Sequence, residues 1–97
     1  MAKQMAILHF VDTHSDEDTD FLIETDMNEN ELLGLSVAIG NIKAHADNGE
    51  SLSGFPIPTN WASLDWNEKV RTVVKHMETY VGRYTLLDSL RVTSEVY

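Results

Sequence analysis

The chain has no cysteine, so a disulfide framework and thiolate chemistry are both excluded. Long hydrophobic runs are also missing. No stretch approaches the 18 or so apolar residues that a membrane helix needs. The opening "MAKQMAILHFVD" has a single Lys and an apolar run broken by His9, and a secretory leader is not expected there. Positive charge is scarce, with seven Lys and Arg against sixteen Asp and Glu. That balance disfavours direct contact with nucleic acid or an anionic membrane. Catalytic signatures are absent too: there is no GxSxG, no HExxH, no phosphate-binding glycine loop. An enclosed pocket of several hundred cubic ångströms is not expected in a domain this small, and the protein is expected not to be an enzyme.

What is present is enough for one domain spanning 1–97. At 97 residues and 42% hydrophobic content, the chain can build a core without covalent staples. Its net charge of −9 is unevenly spread. From Asp12 to Glu31 there are nine acids and no base. Only Lys3 precedes that segment, and the seven acids and six bases after it nearly cancel. Essentially the whole imbalance therefore lies in twenty residues, which attract basic surfaces.

"QMAILHFV" (4–11) predicts a strand. Met5, Ile7 and Val11 occupy one alternating set, and Ala6, Leu8 and Phe10 the other, so a strand covered on both faces or lying centrally is expected. "DFLIETD" (20–26) predicts a second strand, with Phe21, Ile23 and Thr25 on one side and Leu22 and Glu24 on the other. Residues 12–19 would connect them as a polar hairpin. A helix follows. Asn28 suits the N-cap and Glu31 completes a capping box; Leu32, Leu35, Ile39, Ile42 and Ala46 form one stripe, and Asn48-Gly49 ends it. Gly34 and Gly40 inside it predict close approach of another element, or a kink.

Residues 50–63, with both prolines, predict a loop. Phe55, Trp61 and Trp66 either cover one end of the core or leave one Trp exposed as an interface anchor. A second helix starts at Asp65, with Glu68 suited to a capping box, and stops at Gly82. Trp66, Val70, Val73, Val74, Met77, Tyr80 and Val81 form its apolar face, and the opposite face mixes charges. "LRVTSEV" (90–96) predicts a last strand, and residues 83–89 fit its beginning, a turn or more helix. The expected fold is α+β: a small, mostly antiparallel three-stranded sheet packed against two helices, in the order ββααβ.

The acidic segment "DTHSDEDTDFLIETD" invites a metal reading. Asp16, Asp18 and Asp20 match the first, third and fifth places of a calcium loop. Phe21 then stands where the turn needs Gly, and Met27 where the bidentate Glu belongs, so the match fails. His9, Asp12, His14 and Asp16 lack the pattern of a zinc site. No cofactor and no metal is expected. Crowded carboxylates on a wet surface are not an acid–base pair either, because that chemistry needs two unlike environments.

Three readings of the segment remain: a solvating loop of a structural protein, a surface that mimics nucleic acid, and the contact surface of an acidic immunity protein that neutralises a basic toxin or nuclease. On an extended chain, alternate residues lie on one side at about 6.6–6.8 Å spacing. Duplex DNA offers a phosphate per roughly 3.4 Å of axis on each strand. The candidate partner-binding residues are Asp16, Glu17, Asp18, Asp20, Glu24, Asp26, Glu29 and Glu31.

In type, "DTHSDEDTDFLIETDMNENE" on a small α+β body resembles the acidic inhibitors of phages and mobile elements. Among these, the DNA-mimicking anti-CRISPR proteins are similar, including those acting on type I surveillance complexes. The resemblance implies a non-catalytic inhibitor working in the cytoplasm of a bacterial host. Its partner would be a basic nucleic-acid-binding protein or complex, whose Arg and Lys side chains the carboxylates would occupy in place of DNA.

Overall fold

In a computed structural model, residues 3–12 and 16–87 are described. Three strands, β1 (Gln4–Asp12), β2 (Glu17–Thr25) and β3 (Tyr84–Leu86), form an antiparallel sheet in the order β1-β2-β3. Two helices, α1 (Glu29–Asp47) and α2 (Trp66–Val81), pack on the sheet. The α+β architecture is the expected one. Between the helices, however, Trp61–Ser63 form a single 3-10 turn that sequence reading assigned to loop. The expected strand at 90–96 lies outside the described residues; the third strand of the sheet is Tyr84–Leu86.

The hairpin is tighter than expected. β1 runs through Asp12 and β2 begins at Glu17, with Asp12 opposite Glu17 and Leu8 opposite Phe21. The acids at 12, 17 and 18 therefore belong to the strands, not to an eight-residue loop. The β-branched and aromatic content of Thr19–Thr25 favours extension, and the ladder carries it back into the polar stretch.

The parity of the two long strands sets the layers. Leu8, Phe21 and Ile23 are buried under the helices, with Phe10 half-buried and edge-on to Phe21 at 6.0 Å. From α1 come Leu35, Ile39, Ile42 and Ala46, and from α2 Val70, Val73, Val74 and Met77, as their spacing predicts. Tyr80 is a correction: it is exposed and stacks on His76 rather than joining the core. Phe55 and Trp61, 5.5 Å apart, close one end.

The helix ends follow the sequence signals. Asn28 accepts from the Glu31 amide at 2.9 Å while Glu31 accepts from the Asn28 amide, a complete capping box. At the other end the Gly49 amide reaches Ala46 and the Glu50 amide reaches His45, with Gly49 at φ 77°; this is a Schellman motif. Asp65 caps α2, and Gly82 ends it at φ 72°. β3 is tied to α2 as well as to β2. The Tyr84 hydroxyl donates to the Val74 carbonyl, and the Leu86 amide donates to Glu78 at 2.7 Å.

Two expectations about burial fail. The strand β1 is not covered on both faces: among the described residues it is the sheet's edge, and Met5, Ile7 and Val11 are 61%, 64% and 56% exposed. Both helices pack on the face that carries Leu8, Phe21 and Ile23, so among the described residues no helix lies over the second apolar set. Neither glycine of α1 is explained by close packing, since a Cβ built on Gly34 or Gly40 would meet nothing within 4 Å, and the helix runs unbroken through both.

Candidate functional site

The site begins with β2. Its odd-numbered side chains Phe21, Ile23 and Thr25 enter the core, so its even-numbered ones stand on the open face. That places Asp18, Asp20 and Glu24 in one line, interrupted by half-buried Leu22. The ladder sets Val11 beside Asp18, His9 beside Asp20, Ile7 beside Leu22 and Met5 beside Glu24. The open face is thus two parallel rows, one acidic and one largely apolar. No Lys or Arg occurs in any of the three strands. His9 is the exception to the apolar row: its Nδ1 lies 2.5 Å from Asp20 Oδ1, and both are exposed.

The other candidate acids do not extend this row. Asp16 is exposed in the turn before β2 with φ at 58°. Glu17 has the parity of the core face and stands beyond its end, exposed. Glu29 is exposed in the first turn of α1, where it complements the helix dipole. Asp26 and Glu31 turn instead to Arg83: Nη2 donates to Asp26 at 3.3 Å and Nη1 to Glu31 at 2.5 Å. The Asn28 amide and, after it, the Arg83 guanidinium hold the Glu31 carboxyl below its ordinary value; Glu31 in turn raises the guanidinium further. These two carboxylates fasten the β3 end of the chain to the start of α1.

Another carboxylate held by cations lies farther along the sequence. Asp47, at the end of α1, accepts from Lys43 Nζ at 2.6 Å and Trp61 Nε1 at 2.9 Å, with Lys69 Nζ at 3.6 Å. Burial alone would raise its carboxyl, but the bonds from Lys43 and Trp61 outweigh that and lower it. Thr25 is the buried polar residue of the core. Its hydroxyl donates to the Arg83 carbonyl at 2.9 Å and accepts from the Met27 amide at 3.1 Å.

A cavity of about 320 Å³ opens near the end of β1, between α1 and the start of α2. Sequence reading expected no enclosed pocket of several hundred cubic ångströms, and this cavity is half open to solvent. The half-buried Trp66 lines it, whereas Trp61 is in the core, so neither is a protruding anchor. No group of three or more potential metal ligands occurs among the described residues. His14 lies outside them. No described helix is long and apolar enough to cross a membrane.

Sequence reasoning missed the Met5–Ile7–Val11 row as a surface. The two apolar sets of β1 are visible in the sequence, but which set stays exposed depends on both helices packing on one face, which no local pattern gives. No family model, curated protein or solved structure matches this chain.

Proposed function

We propose that the protein is a non-catalytic binder whose open sheet face docks on the nucleic-acid-binding surface of a basic protein or complex and excludes the nucleic acid. The observation that carries the reading is the double row: Asp18, Asp20 and Glu24 without a neighbouring Lys or Arg in the sheet, beside exposed Met5, Ile7 and Val11. An ordinary solvated surface mixes charge signs and scatters its apolar groups. Here one sign is aligned, and Met5, Ile7 and Val11 share one face of the neighbouring strand with only His9 between them.

Each row has its part. The carboxylates draw in a basic partner and set salt sensitivity, while apolar contact supplies the lasting affinity. Asp18 and Asp20 stand about 6.6–6.8 Å apart and Asp20 and Glu24 about twice that, on the extended-chain rise. Such a row meets roughly every second or fourth phosphate position of one DNA strand. Asp16 in the turn and Glu17 on the other parity stand beyond the end of that row. The partner class is that of the DNA-mimicking inhibitors, with type I CRISPR surveillance complexes as a first case to try.

The test is competition. Purified type I surveillance complexes are titrated with the protein while target-DNA binding is followed by fluorescence anisotropy. Displacement of DNA by the parent, weakening as salt rises, is the expected result. The variant Asp18→Lys/Asp20→Lys/Glu24→Lys is expected to lose displacement while keeping its circular-dichroism spectrum. Displacement by this folded variant at parental concentrations would sink the reading. Inhibition of a basic nuclease without DNA competition would point to the immunity-protein mode instead.

A further inference from the structure

We propose that β1 pairs with β1 of a second copy, antiparallel across a two-fold axis, so that two acidic rows flank one central apolar band. Among the described residues β1 is an edge strand, and it lacks the devices that keep such edges apart. It is nine residues long, and its nine consecutive pairs with β2 leave no bulge. From Gln4 to Val11 it has no proline, Lys, Arg, Asp or Glu. Alternate N–H and C=O groups of an edge strand point away from its one neighbour, and a further strand is what satisfies them.

Charge and size select a second copy as the occupant. Antiparallel pairing carries Lys3, exposed at the start of one β1, to the turn end of the other copy, where exposed Asp16 and Asp18 stand. Between those ends two uncharged stretches meet. Each side chain must keep to its own face of the sheet, which limits the register. With Leu8 opposite Leu8 of the second copy, the small Ala6 faces the large Phe10 on the helix side, twice by symmetry. On the open side Met5 faces Val11 and Ile7 faces His9, and the exposed apolar residues of both copies become one band. Neighbouring strands lie about 4.8 Å apart, so the two Asp18–Asp20–Glu24 rows stand about 14 Å apart and run antiparallel. The major groove of B-DNA is about 12 Å wide between two antiparallel phosphate strands. This use of the dimer rests on the reading that the open face displaces nucleic acid; the pairing itself rests on β1.

The experiment is sedimentation velocity on the full chain from about 1 µM to about 1 mM, at low and high salt. A monomer–dimer equilibrium is expected. It should tighten as salt screens two chains of charge −9, the opposite of the salt effect on DNA displacement. Ile7→Lys puts two cations diagonally across the axis, about 7–8 Å apart, and is expected to weaken the dimer at least tenfold. Ile7 is exposed, so that variant should keep the parent's circular-dichroism spectrum. The register is read by cross-linking, with no native cysteine to interfere. Met5→Cys/Val11→Cys sets thiols opposite each other between copies, within the Cα separation of about 4.4–6.8 Å that a disulfide needs, and should oxidise to a covalent dimer. Val11→Cys alone holds its two thiols about 20 Å apart and should not. The Asp18→Lys/Asp20→Lys/Glu24→Lys variant is expected to stay dimeric while losing DNA competition, so the pairing and the open-face reading fail separately. A parent that stays monomeric throughout, an undiminished dimer in a folded Ile7→Lys, or cross-linking of Val11→Cys as readily as of the pair would overturn the pairing.

Discussion

The two sides of β2 make unlike use of one nine-residue strand. Toward the helices, Phe21, Ile23 and Thr25 are completely buried. Away from them, Asp18, Asp20 and Glu24 stand on the open face, and only Leu22 among the even positions from 18 to 24 is apolar. The inner side holds the domain together through packing, and the outer side has little packing to lose. A strand of this kind lets charge vary on one side without disturbing the other. The carboxylates repeat the division. Glu31, Asp26 and Asp47 are engaged by cations and serve the fold, while Asp18, Asp20 and Glu24 have no Lys or Arg in the described strands beside them.

The largest effect should come from breaking the inner side. Phe21→Ala removes a fully buried ring that meets Phe10 edge-on. A loss of about 3–5 kcal/mol is expected, a large part of the stability of a domain this size. Leu22→Ala, one residue away and half-buried, is expected to cost about a third of that or less. Urea denaturation of the pair measures the contrast directly. Comparable losses at both positions would mean that the outer face is packed after all.

Thr25→Val tests the buried hydroxyl at nearly constant shape. It leaves the Met27 amide and the Arg83 carbonyl without that partner at the junction of β2, α1 and β3. The expected cost is about 1–3 kcal/mol, read from the same denaturation curves. A neutral result would show that water or a backbone shift satisfies those groups.

These two residues also show how much was legible in the sequence. Period-two alternation in "DFLIET" marked the buried and outward sides correctly, and the heptad-like steps of both helices marked their core residues. The capping box at Asn28–Glu31 and the stop at Asn48-Gly49 were readable because each is a local hydrogen-bond pattern with its own residue signature. Non-local facts were not readable. That β1 lies at the edge depends on which strand takes the other side of β2. That Asp26 and Glu31 leave the acidic patch depends on Arg83, more than fifty residues away. Nothing in a net charge distinguishes an acid that has a distant cation from one that has none. The cavity likewise forms from three elements that no sequence window contains together.

The next effect concerns pH and separates the two kinds of carboxylate. Glu31 and Asp47 titrate below their ordinary values in the folded protein. A depressed carboxyl contributes stability above its unfolded pKa, and that contribution is lost as pH falls through the folded value. Stability should therefore decline below about pH 4. Arg83→Gln removes the partner of Glu31 and Asp26 and should make that decline shallower. Its effect on stability at neutral pH is expected to be small, since the cluster is exposed and screened by solvent. Tyr84 sets the other limit. Burial, and then the Glu78 charge, raise its phenol above the ordinary range. Such a group stabilises fully below its unfolded pKa, so stability should fall again above about pH 10. Melting temperatures across the pH range, for the parent and Arg83→Gln, check both limbs.

The smallest expected effect has the opposite sign and lies on the outward side of α1. Gly34 is exposed within a continuous helix, and a Cβ there meets nothing within 4 Å. Gly34→Ala should therefore only relieve the cost of glycine in the helix, raising stability by about 0.5–1 kcal/mol. Gly40→Ala is expected to give a similar gain in stability, since its Cβ is equally uncrowded. Equal gains in melting temperature at both positions would show that the fold needs neither glycine. If Gly34→Ala destabilises the protein, the outward face of α1 is not open, and the contrast between packed and open sides ends at the sheet.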